Sequence, residues 1–284
     1  MKVAGSMLKV KSVTKNFAAF RLDDISFEIP PGYICGLIGE NGSGKTTLIR
    51  IICGLYEPTS GSVAIDGDIT DEEHVSARQK TGVVLNTDIF DDFLTLEANG
   101  RRFGKYYQKY SHEKLLEYIS EFGLDPKNKY AENSKGEKLK FALAFALSYD
   151  PVLLVLDEPA ANFDPEFREK FNRILREFTS SGERTVLLST HIMSDAEQFS
   201  DYLLMLRKGK QVLFGDIETV RSRYRMVSGN INVIKNLKDR VISVEQGELG
   251  CRALVRGREN ISEFLDQWEP SVEELMCFFS REGK

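Results

Sequence analysis

A glycine-rich run, G-E-N-G-S-G-K-T, extends from Gly39 to Thr46 between an apolar strand pattern and a helix pattern. Such a loop turns its backbone N–H groups inward, and the following helix adds the positive end of its dipole, so that together they cradle a polyphosphate. The Lys45 ammonium can reach the β- and γ-phosphates, and the Thr46 hydroxyl can ligate Mg²⁺. A chance glycine-rich turn is the alternative, but it does not account for a full match in this context. We predict that a nucleoside triphosphate binds to the loop residues Gly39, Asn41, Gly42, Ser43, Gly44, Lys45, Thr46 and Thr47.

Two carboxylates, Asp157 and Glu158, directly follow the apolar run Leu153–Leu156. A buried strand of this kind delivers charge to the carboxyl edge of a sheet, where α/β proteins bind ligands. Taken alone, the pair is also compatible with a solvated acidic turn. Because the phosphate loop lies upstream, we predict that Asp157 holds Mg²⁺ and that Glu158 polarises the attacking water as the catalytic base.

Composition narrows the class of protein. The 284 residues carry a net charge of −5, which argues against a nucleic-acid partner because phosphate-backbone binding needs a clustered cationic surface. No stretch approaches the roughly 18 to 20 apolar residues of a membrane span. The 4 cysteines show no C-x-x-C spacing, so we expect reduced thiols and no metal cluster. The start has no signal-peptide core, and we expect Gly5-Ser6-Met7 to be a cloning remnant ahead of the native Met.

The elements that position these residues are strands on either side of a helical middle. Asp164 and Pro165 open a helix as its N-cap and first residue. We predict an α/β fold with a nucleotide-binding core over 7–86 and 150–215 and a helical subdomain over 87–149. Alternating or apolar segments predict strands at 7–13, 25–29, 33–38, 61–66, 82–85, 152–156, 185–189, 202–206 and 211–214.

A small C-terminal α/β unit is predicted over 216–284, where the chain becomes more polar. Strands are expected at Ile231–Ile234, Val241–Val244 and Cys251–Val255, followed by two helices. The second of these helices begins after Ser271, which forms a capping box with Glu274.

The motifs are in the order found in ATP-binding cassette (ABC) ATPases, and the chain resembles this family from about Leu8 to Gly215. The matching segments are the phosphate loop, L-L-V-L-D-E-P, Ala161–Asp164 and Ser189-Thr190-His191. The family signature, usually L-S-G-G-Q, is represented by N-S-K-G-E from Asn133 to Glu137. There the Ser134 hydroxyl at a helix N-terminus and the open backbone around Gly136 predict a second anion site. The resemblance implies a P-loop NTPase fold, with a mixed sheet, an antiparallel β edge and a helical subdomain.

The resemblance also implies a head-to-tail dimer, either a homodimer or a heterodimer. In that arrangement the phosphate loop of one subunit and the signature of the other, with Asp164, enclose each ATP, and hydrolysis weakens the interface. Phe17 matches the aromatic residue that stacks on adenine, although a core aromatic is an almost equal alternative. His191 matches the switch histidine that contacts the γ-phosphate.

Three segments depart from the usual family pattern. Asn86 replaces a Gln that reaches Mg²⁺ or the attacking water, on a stem one methylene shorter. The signature has Asn133 and Lys135 where Leu and Gly are usual, and Ala161–Asp164 lacks the leading Ser. Because Lys45 and Glu158 are both present, we still expect hydrolysis of ATP with Mg²⁺.

The resemblance implies the ATPase subunit of a transporter, docked from the cytoplasm on a separate membrane permease. The departures resemble a bacterial subgroup that serves peptide or drug exporters. The segment Asn86–Leu96, with Ile89, Phe90 and Phe93, is where the family receives the permease's coupling helix; the alternative is that these residues pack within the helical subdomain, as we expect for some of them. Two alternatives stay open: a soluble nucleotide-gated clamp or scaffold, and a degenerate, non-hydrolysing subunit paired with an active one.

Overall fold

The computed structural model describes residues 5–70, 75–87, 89–247, 250–257, 259 and 261–281. The chain folds around a sheet of ten strands, and a second sheet of four strands follows it. The first part of the large sheet and its helices are β1 (Leu8–Asn16), β2 (Arg21–Ile29), β3 (Ile34–Ile38), α1 (Lys45–Ile52), β4 (Ser60–Ile65), β5 (Asp68–Ile69), α2 (Val75–Gln79) and β6 (Thr81–Val84).

A helical region separates β6 from the rest of the sheet. It contains α3 (Leu96–Gly104), α4 (His112–Glu121) and α5 (Lys135–Leu147). The middle and end of α5 are apolar all round and buried, since helices and sheet enclose it. Phe90 packs into this region, with ring centroids 4.7 Å from Phe141 and 5.4 Å from Phe145.

The chain then returns to the large sheet with alternating strands and helices. These are β7 (Leu153–Asp157), α6 (Pro165–Thr179), β8 (Thr185–Thr190), α7 (Met193–Phe199), β9 (Tyr202–Arg207) and β10 (Lys210–Asp216). The helix α6 forms as predicted, with Asp164 accepting a hydrogen bond from Phe167 N and Pro165 in the first turn. Its buried stripe is Phe167, Phe171, Leu175 and Phe178, at helical spacing.

The strand order is β5-β4-β1-β2-β10-β9-β3-β8-β7-β6. Strands β9, β3, β8, β7 and β6 are mutually parallel, whereas β1, β2, β4 and β5 pair antiparallel. The predicted mixed sheet with an antiparallel edge is therefore confirmed. Strands β3, β7 and β8 are buried along their whole length, as expected for parallel strands covered on both faces. The carboxyl ends of these three strands meet at one edge.

The C-terminal segment forms the four-stranded sheet, in the order β12-β13-β11-β14. Its elements are α8 (Ile217–Ser222), β11 (Tyr224–Gly229), α9 (Ile231–Lys235), β12 (Val241–Gly247), β13 (Gly250–Arg256), β14 (Asp266–Trp268) and α10 (Val272–Arg281). The predicted capping box at the start of α10 is present, since Ser271 N donates to Glu274 and Glu274 N donates to Ser271 Oγ.

Three sequence predictions are wrong. The segment Ile231–Ile234 is helical rather than a strand, because Asn230 caps it by accepting a hydrogen bond from Asn232 N and because only Ile234 is buried. Within the described residues one helix, α10, follows β13, where two were expected; the short strand β14 occupies part of the intervening segment. Phe90, predicted on the permease-facing surface, is 8% exposed and belongs to the helical core. The division into 7–86 with 150–215, 87–149 and 216–284 stays a prediction.

Candidate active site

The glycine-rich loop connects the end of β3 to the first turn of α1, at the carboxyl edge of the sheet. Its conformation requires glycine where the loop turns most tightly. A Cβ on Gly39 would lie 2.4 Å from the Leu206 carbonyl oxygen, and Gly44 has φ 110 as it opens α1. The loop lines a cavity of about 350 Å³ together with Glu158 and Phe20. Of the residues predicted there, Asn41, Gly42, Ser43, Gly44, Lys45, Thr46 and Thr47 line this cavity.

Lys45 is buried, and its ammonium is held by the loop itself. Its Nζ donates to the Gly39 carbonyl at 2.7 Å and to the Glu40 carbonyl at 3.3 Å, and lies 3.8 Å from Glu158 Oε1. Burial lowers the pKa of Lys45, and the carboxylates of Glu158 and Asp157 oppose that change. The loop thus presents a desolvated cation beside the cavity, where it can pair with a phosphate.

Asp157 ends β7 as a buried carboxylate with two hydroxyl partners. Ser189 Oγ on the neighbouring strand β8 donates to Asp157 Oδ1 at 2.6 Å, and Thr46 Oγ1 donates to Asp157 Oδ2 at 3.2 Å. Three elements that are distant in the sequence, α1, β7 and β8, are thereby joined at one carboxylate. Thr46 and Asp157 lie together, as the magnesium prediction requires.

Glu158 follows with φ 52 and ψ 43, a left-handed conformation that is uncommon for a residue with a side chain. Its backbone N–H donates to Ser189, with 3.2 Å to the carbonyl oxygen and 3.1 Å to Oγ. Strained backbone of this kind is maintained when surrounding contacts over-determine it, and it concentrates at functional sites. The conformation turns the chain sharply just after Asp157.

His191 lies in the link between β8 and α7, and its Nδ1 is 3.3 Å from Glu158 Oε2. Asn86 is an exposed residue in the bend after β6. It lines a second cavity, of about 290 Å³, with Asn41, Thr46, Asp157 and Glu158. The residues predicted to perform hydrolysis are therefore brought to one edge of the sheet.

A triphosphate and a magnesium ion fit the groups at this edge. Ser43 Oγ is buried without a hydrogen-bond partner among the described residues, as expected of a donor that awaits an anion. The hydroxyl of Thr46, the carboxylate of Asp157 and the amide of Asn86 supply the oxygen ligands that Mg²⁺ prefers.

The signature residues occupy a different place in the chain. Ser134 caps α5, accepting from Glu137 N at 3.3 Å, while the Glu137 carboxylate accepts from Ser134 N at 2.7 Å. A Cβ on Gly136 would lie 2.6 Å from the Asn162 carbonyl oxygen, so this glycine lets α5 approach the segment before α6. Ser134, Gly136 and Asp164 line neither of the two cavities at the phosphate loop, as far as the described residues define them.

Asp164 links the signature helix to α6. Its carboxylate accepts from Phe167 N at 2.8 Å and from Lys140 Nζ at 2.9 Å. The hydrogen bond from Lys140, reinforced by that from Phe167 N, holds the pKa of Asp164 below its usual value. Within a single chain, Asp164 therefore caps α6 and joins it to α5 through Lys140.

Phe17 directly follows β1 and is 43% exposed, so the alternative of a core aromatic does not hold. Its ring centroid is 6.4 Å from that of Phe20 and 6.0 Å from that of Tyr56. Sequence reasoning missed Phe20, which lines the phosphate-loop cavity itself. The F-A-A-F spacing is the signal that could have found it, because the tight turn closed by Phe17 N and Phe20 O brings both rings to one side.

The fold and this edge of the sheet define a P-loop nucleoside triphosphatase. Residues 22–161 match the family model described as ABC transporter, and the chain belongs to that family. It is 31% identical over 269 residues to the Nod factor export ATP-binding protein I of Burkholderia pseudomallei (strain 1710b), covering 90% of this chain and 80% of that protein. The protein is accordingly an ABC ATP-binding subunit of a transporter, with ATPase activity.

Solved structures agree with this assignment. An ATP-binding subunit of an ABC transporter superposes with a TM-score of 0.70 and 28% identity, over 76% of this chain and 92% of the other. The ATP-binding cassette MJ0796, solved as a dimer in a post-hydrolysis state with ADP and Pi, gives a TM-score of 0.67 and 26% identity, over 74% and 99% of the two chains. Among the residues described here, no helix is long and apolar enough to cross a membrane.

Proposed function

We propose that two copies of this chain, or one copy and a related subunit, close around ATP and thereby drive a separate membrane permease. The observation that carries the dimer is the separation of the two anion-binding features. Ser134 and Gly136 open α5 and, among the described residues, line neither cavity of the phosphate loop, so we infer that a second chain brings a signature to the nucleotide. The dimeric state of MJ0796 supports a dimer for this chain as well.

In this proposal each group of residues at the site has a separate role. The loop and Lys45 bind the phosphates, Phe17 stacks on the base, and Ser134, Gly136 and Asp164 act from the opposite subunit. Thr46, Asp157 and Asn86 would hold Mg²⁺, which neutralises phosphate charge when bound. Glu158 takes the proton of the attacking water, and His191, 3.3 Å from Glu158, keeps that carboxylate oriented.

The permease is proposed to dock on an apolar face beside the cavity of about 210 Å³ between α1, α2 and the segment after β6. Leu55 and Ile89 line this cavity and are more than half exposed. Ile69, Val75 and Tyr106 are also exposed, and each lies within two residues of a residue that lines it. Large apolar side chains gathered on one surface mark a protein interface.

Phe93, in the segment before α3, is 85% exposed and is proposed as part of the docking surface, whereas Phe90 is buried and does not contribute to it. The proposed occupant is an apolar helix of a membrane-embedded protein, and the proposed location of this chain is the cytoplasmic face of the membrane. Transport is proposed to be export of a peptide or drug. The Burkholderia relative is named as an export protein, which supports the direction of transport, and the S-K-G-E-K-L-K-F segment supports the cargo class.

The dimer is tested by gel filtration of Glu158→Gln with and without ATP. Blocking hydrolysis should trap a dimer that appears only with ATP. Adding Ser134→Arg should return the protein to monomer, because the bulky cation fills the second anion site. Ser120→Arg, at an exposed serine of α4 in the same helical region, is the matched control and should leave the dimer intact. A dimer that survives Ser134→Arg would overturn the shared nucleotide site.

The permease is tested by purification from membranes. A multi-span protein should copurify with the unmodified chain and should be lost with Phe93→Asp and Ile89→Asp together. If the chain fractionates with no membrane protein, the soluble clamp is the better assignment. If Lys45→Ala leaves the ATPase rate unchanged, the measured rate does not come from this site and the non-hydrolysing alternative is favoured.

A further inference from the structure

The helix α7 begins two residues after His191, so its position determines where that side chain lies. The connection is short and internally bonded: Ile192 N donates to Thr190 Oγ1 at 3.0 Å. A translation of α7 along its axis, or a rotation about it, should therefore move His191 by a similar amount. What holds α7 in place thus bears on the 3.3 Å contact between His191 and Glu158.

One side of α7 is fixed by α6. Asp195, in the first turn of α7, is 2% exposed and forms an ion pair with Arg168 of α6. A buried carboxylate of this kind is costly unless it is paired, so the contact holds the two helices together firmly. Arg168 lies one turn beyond Asp164, which begins α6.

The other side of α7 is fixed by the C-terminal segment. The helix α10 packs against α7, and the two helices contribute to one hydrophobic cluster: Met193 and Ala196 from α7, and Val272, Leu275, Phe278 and Phe279 from α10. A polar link accompanies this packing. Arg221 of α8 places Nη1 3.6 Å from Glu197 Oε1 of α7, and its Nε donates to the Pro270 carbonyl at 3.0 Å, just before α10.

We propose that the C-terminal segment is a positioning element for the hydrolytic centre, in which Arg221 and α10 hold α7 and through it His191. Arg221 is a positioning residue: it acts through α7 and, among the described residues, is not part of the lining of either cavity at the phosphate loop. The inference rests on the role proposed for His191. Because displacement of a catalytic group by about 1 Å costs roughly 100-fold in rate, loosening one of several contacts to α7 should lower kcat by about tenfold.

The test compares Arg221→Met with Arg225→Met in the full chain. Both arginines belong to the C-terminal segment, and Arg225 also pairs with a glutamate, Glu269, at 3.4 Å, but that pair does not involve α7. The Arg225 side chain is 13% exposed and that of Arg221 is 27% exposed, so a purely structural effect would be larger at Arg225. We expect Arg221→Met to lower kcat about tenfold with KM for ATP within about twofold, and Arg225→Met to leave kcat unchanged.

Glu197→Gln, which removes the other partner while keeping its shape, should lower kcat as Arg221→Met does. If Arg221→Met fails to fold, Glu197→Gln alone provides the test. In a His191→Ala background neither change should reduce kcat further, because both act through the residue that is missing. An equal fold-reduction in that background, or a kcat within about twofold of the unmodified chain for both variants, would overturn the inference.

The kcat values of these variants distinguish a failure of the role proposed for His191 from a failure of the role proposed for the C-terminal segment. If His191→Ala alone leaves kcat unchanged, the role of His191 is wrong and the inference falls with it. If His191→Ala lowers kcat but Arg221→Met and Glu197→Gln do not, only the role of the C-terminal segment is wrong.

Discussion

Ser189→Ala should weaken both the fold and the response to magnesium, because its hydroxyl bonds both the carboxylate of Asp157 and the backbone N–H of Glu158. Ser189 Oγ donates to Asp157 Oδ1 at 2.6 Å and accepts from Glu158 N at 3.1 Å, and the residue is fully buried. A hydrogen bond to a charged group contributes about 1.5 to 3 kcal/mol. Asp157 keeps its contact with Thr46, and Glu158 N keeps the Ser189 carbonyl, so neither group loses all partners. We expect the free energy of unfolding to fall by about 2 kcal/mol.

The same substitution frees one oxygen of the proposed magnesium ligand. Loss of a group that orients a metal ligand typically costs about 10- to 100-fold in metal affinity or activity. The half-saturating Mg²⁺ concentration for ATPase activity should therefore rise by at least about tenfold. Urea denaturation measures the change in stability, and a magnesium titration of the ATPase rate measures the change in affinity.

Ser200→Ala is the matched control. Ser200 is buried like Ser189, but its Oγ has no hydrogen-bond partner within the described part of the chain. Its removal should change the free energy of unfolding by less than about 0.5 kcal/mol and leave the magnesium response unchanged. If the two serines give equal losses, or if Ser189→Ala leaves the magnesium titration unaltered, the reasoning about Asp157 is refuted.

Three further predictions concern the helical region, the bridge to α6 and the thiols. Phe90→Ala should lower the free energy of unfolding by about 3 to 5 kcal/mol in urea denaturation, since the ring is buried among other aromatics; a loss below about 1 kcal/mol would contradict its place in the core. Lys140→Met should raise the pKa of Asp164 toward 3.8 in a carboxyl NMR titration. A carboxylate with a depressed pKa stabilises the fold only at pH values above that pKa, so the unfolding free energies of the variant and the unmodified protein should converge as the pH falls. An unchanged pKa of Asp164 would refute the ion pair with Lys140. A thiol reagent at pH 8 should modify Cys277 first, because Cys277 is partly exposed, whereas Cys53 is buried and its burial raises its pKa to about 12. Early labelling of Cys53 would show that its surroundings are open.

The site could be predicted because its residues are contiguous or follow a strand. The loop from Gly39 to Thr46 and the carboxylates after β7 depend on local spacing, and parallel strands necessarily bring their carboxyl ends together. Ser189 was part of a recognised motif, yet its contact with Asp157 depends on β7 and β8 being neighbours, which no local pattern contains.

The failures arose where distant contacts decide. Phe90 and Phe93 lie three residues apart in the same segment, and the choice of which ring is buried is made by Phe141 and Phe145, about fifty residues later. The segment Ile231–Ile234 has β-branched residues that favour a strand, but a cap at Asn230 and the burial of a single side chain outweigh that weak preference. Likewise the packing of α10 on α7 joins two segments whose sequences show no relation to each other.

Glu158 has a consequence for how this protein would evolve in the laboratory. A residue with a Cβ in the left-handed region is less stable there than glycine by roughly 1 to 2 kcal/mol. Selection for thermostability alone would therefore favour Gly or Asn at this position, and it would discard the carboxylate in doing so. If Glu158 has the catalytic role proposed above, the selected proteins would be more stable, would still bind ATP and would no longer hydrolyse it, so Glu158 should be kept unchanged in any stabilisation experiment.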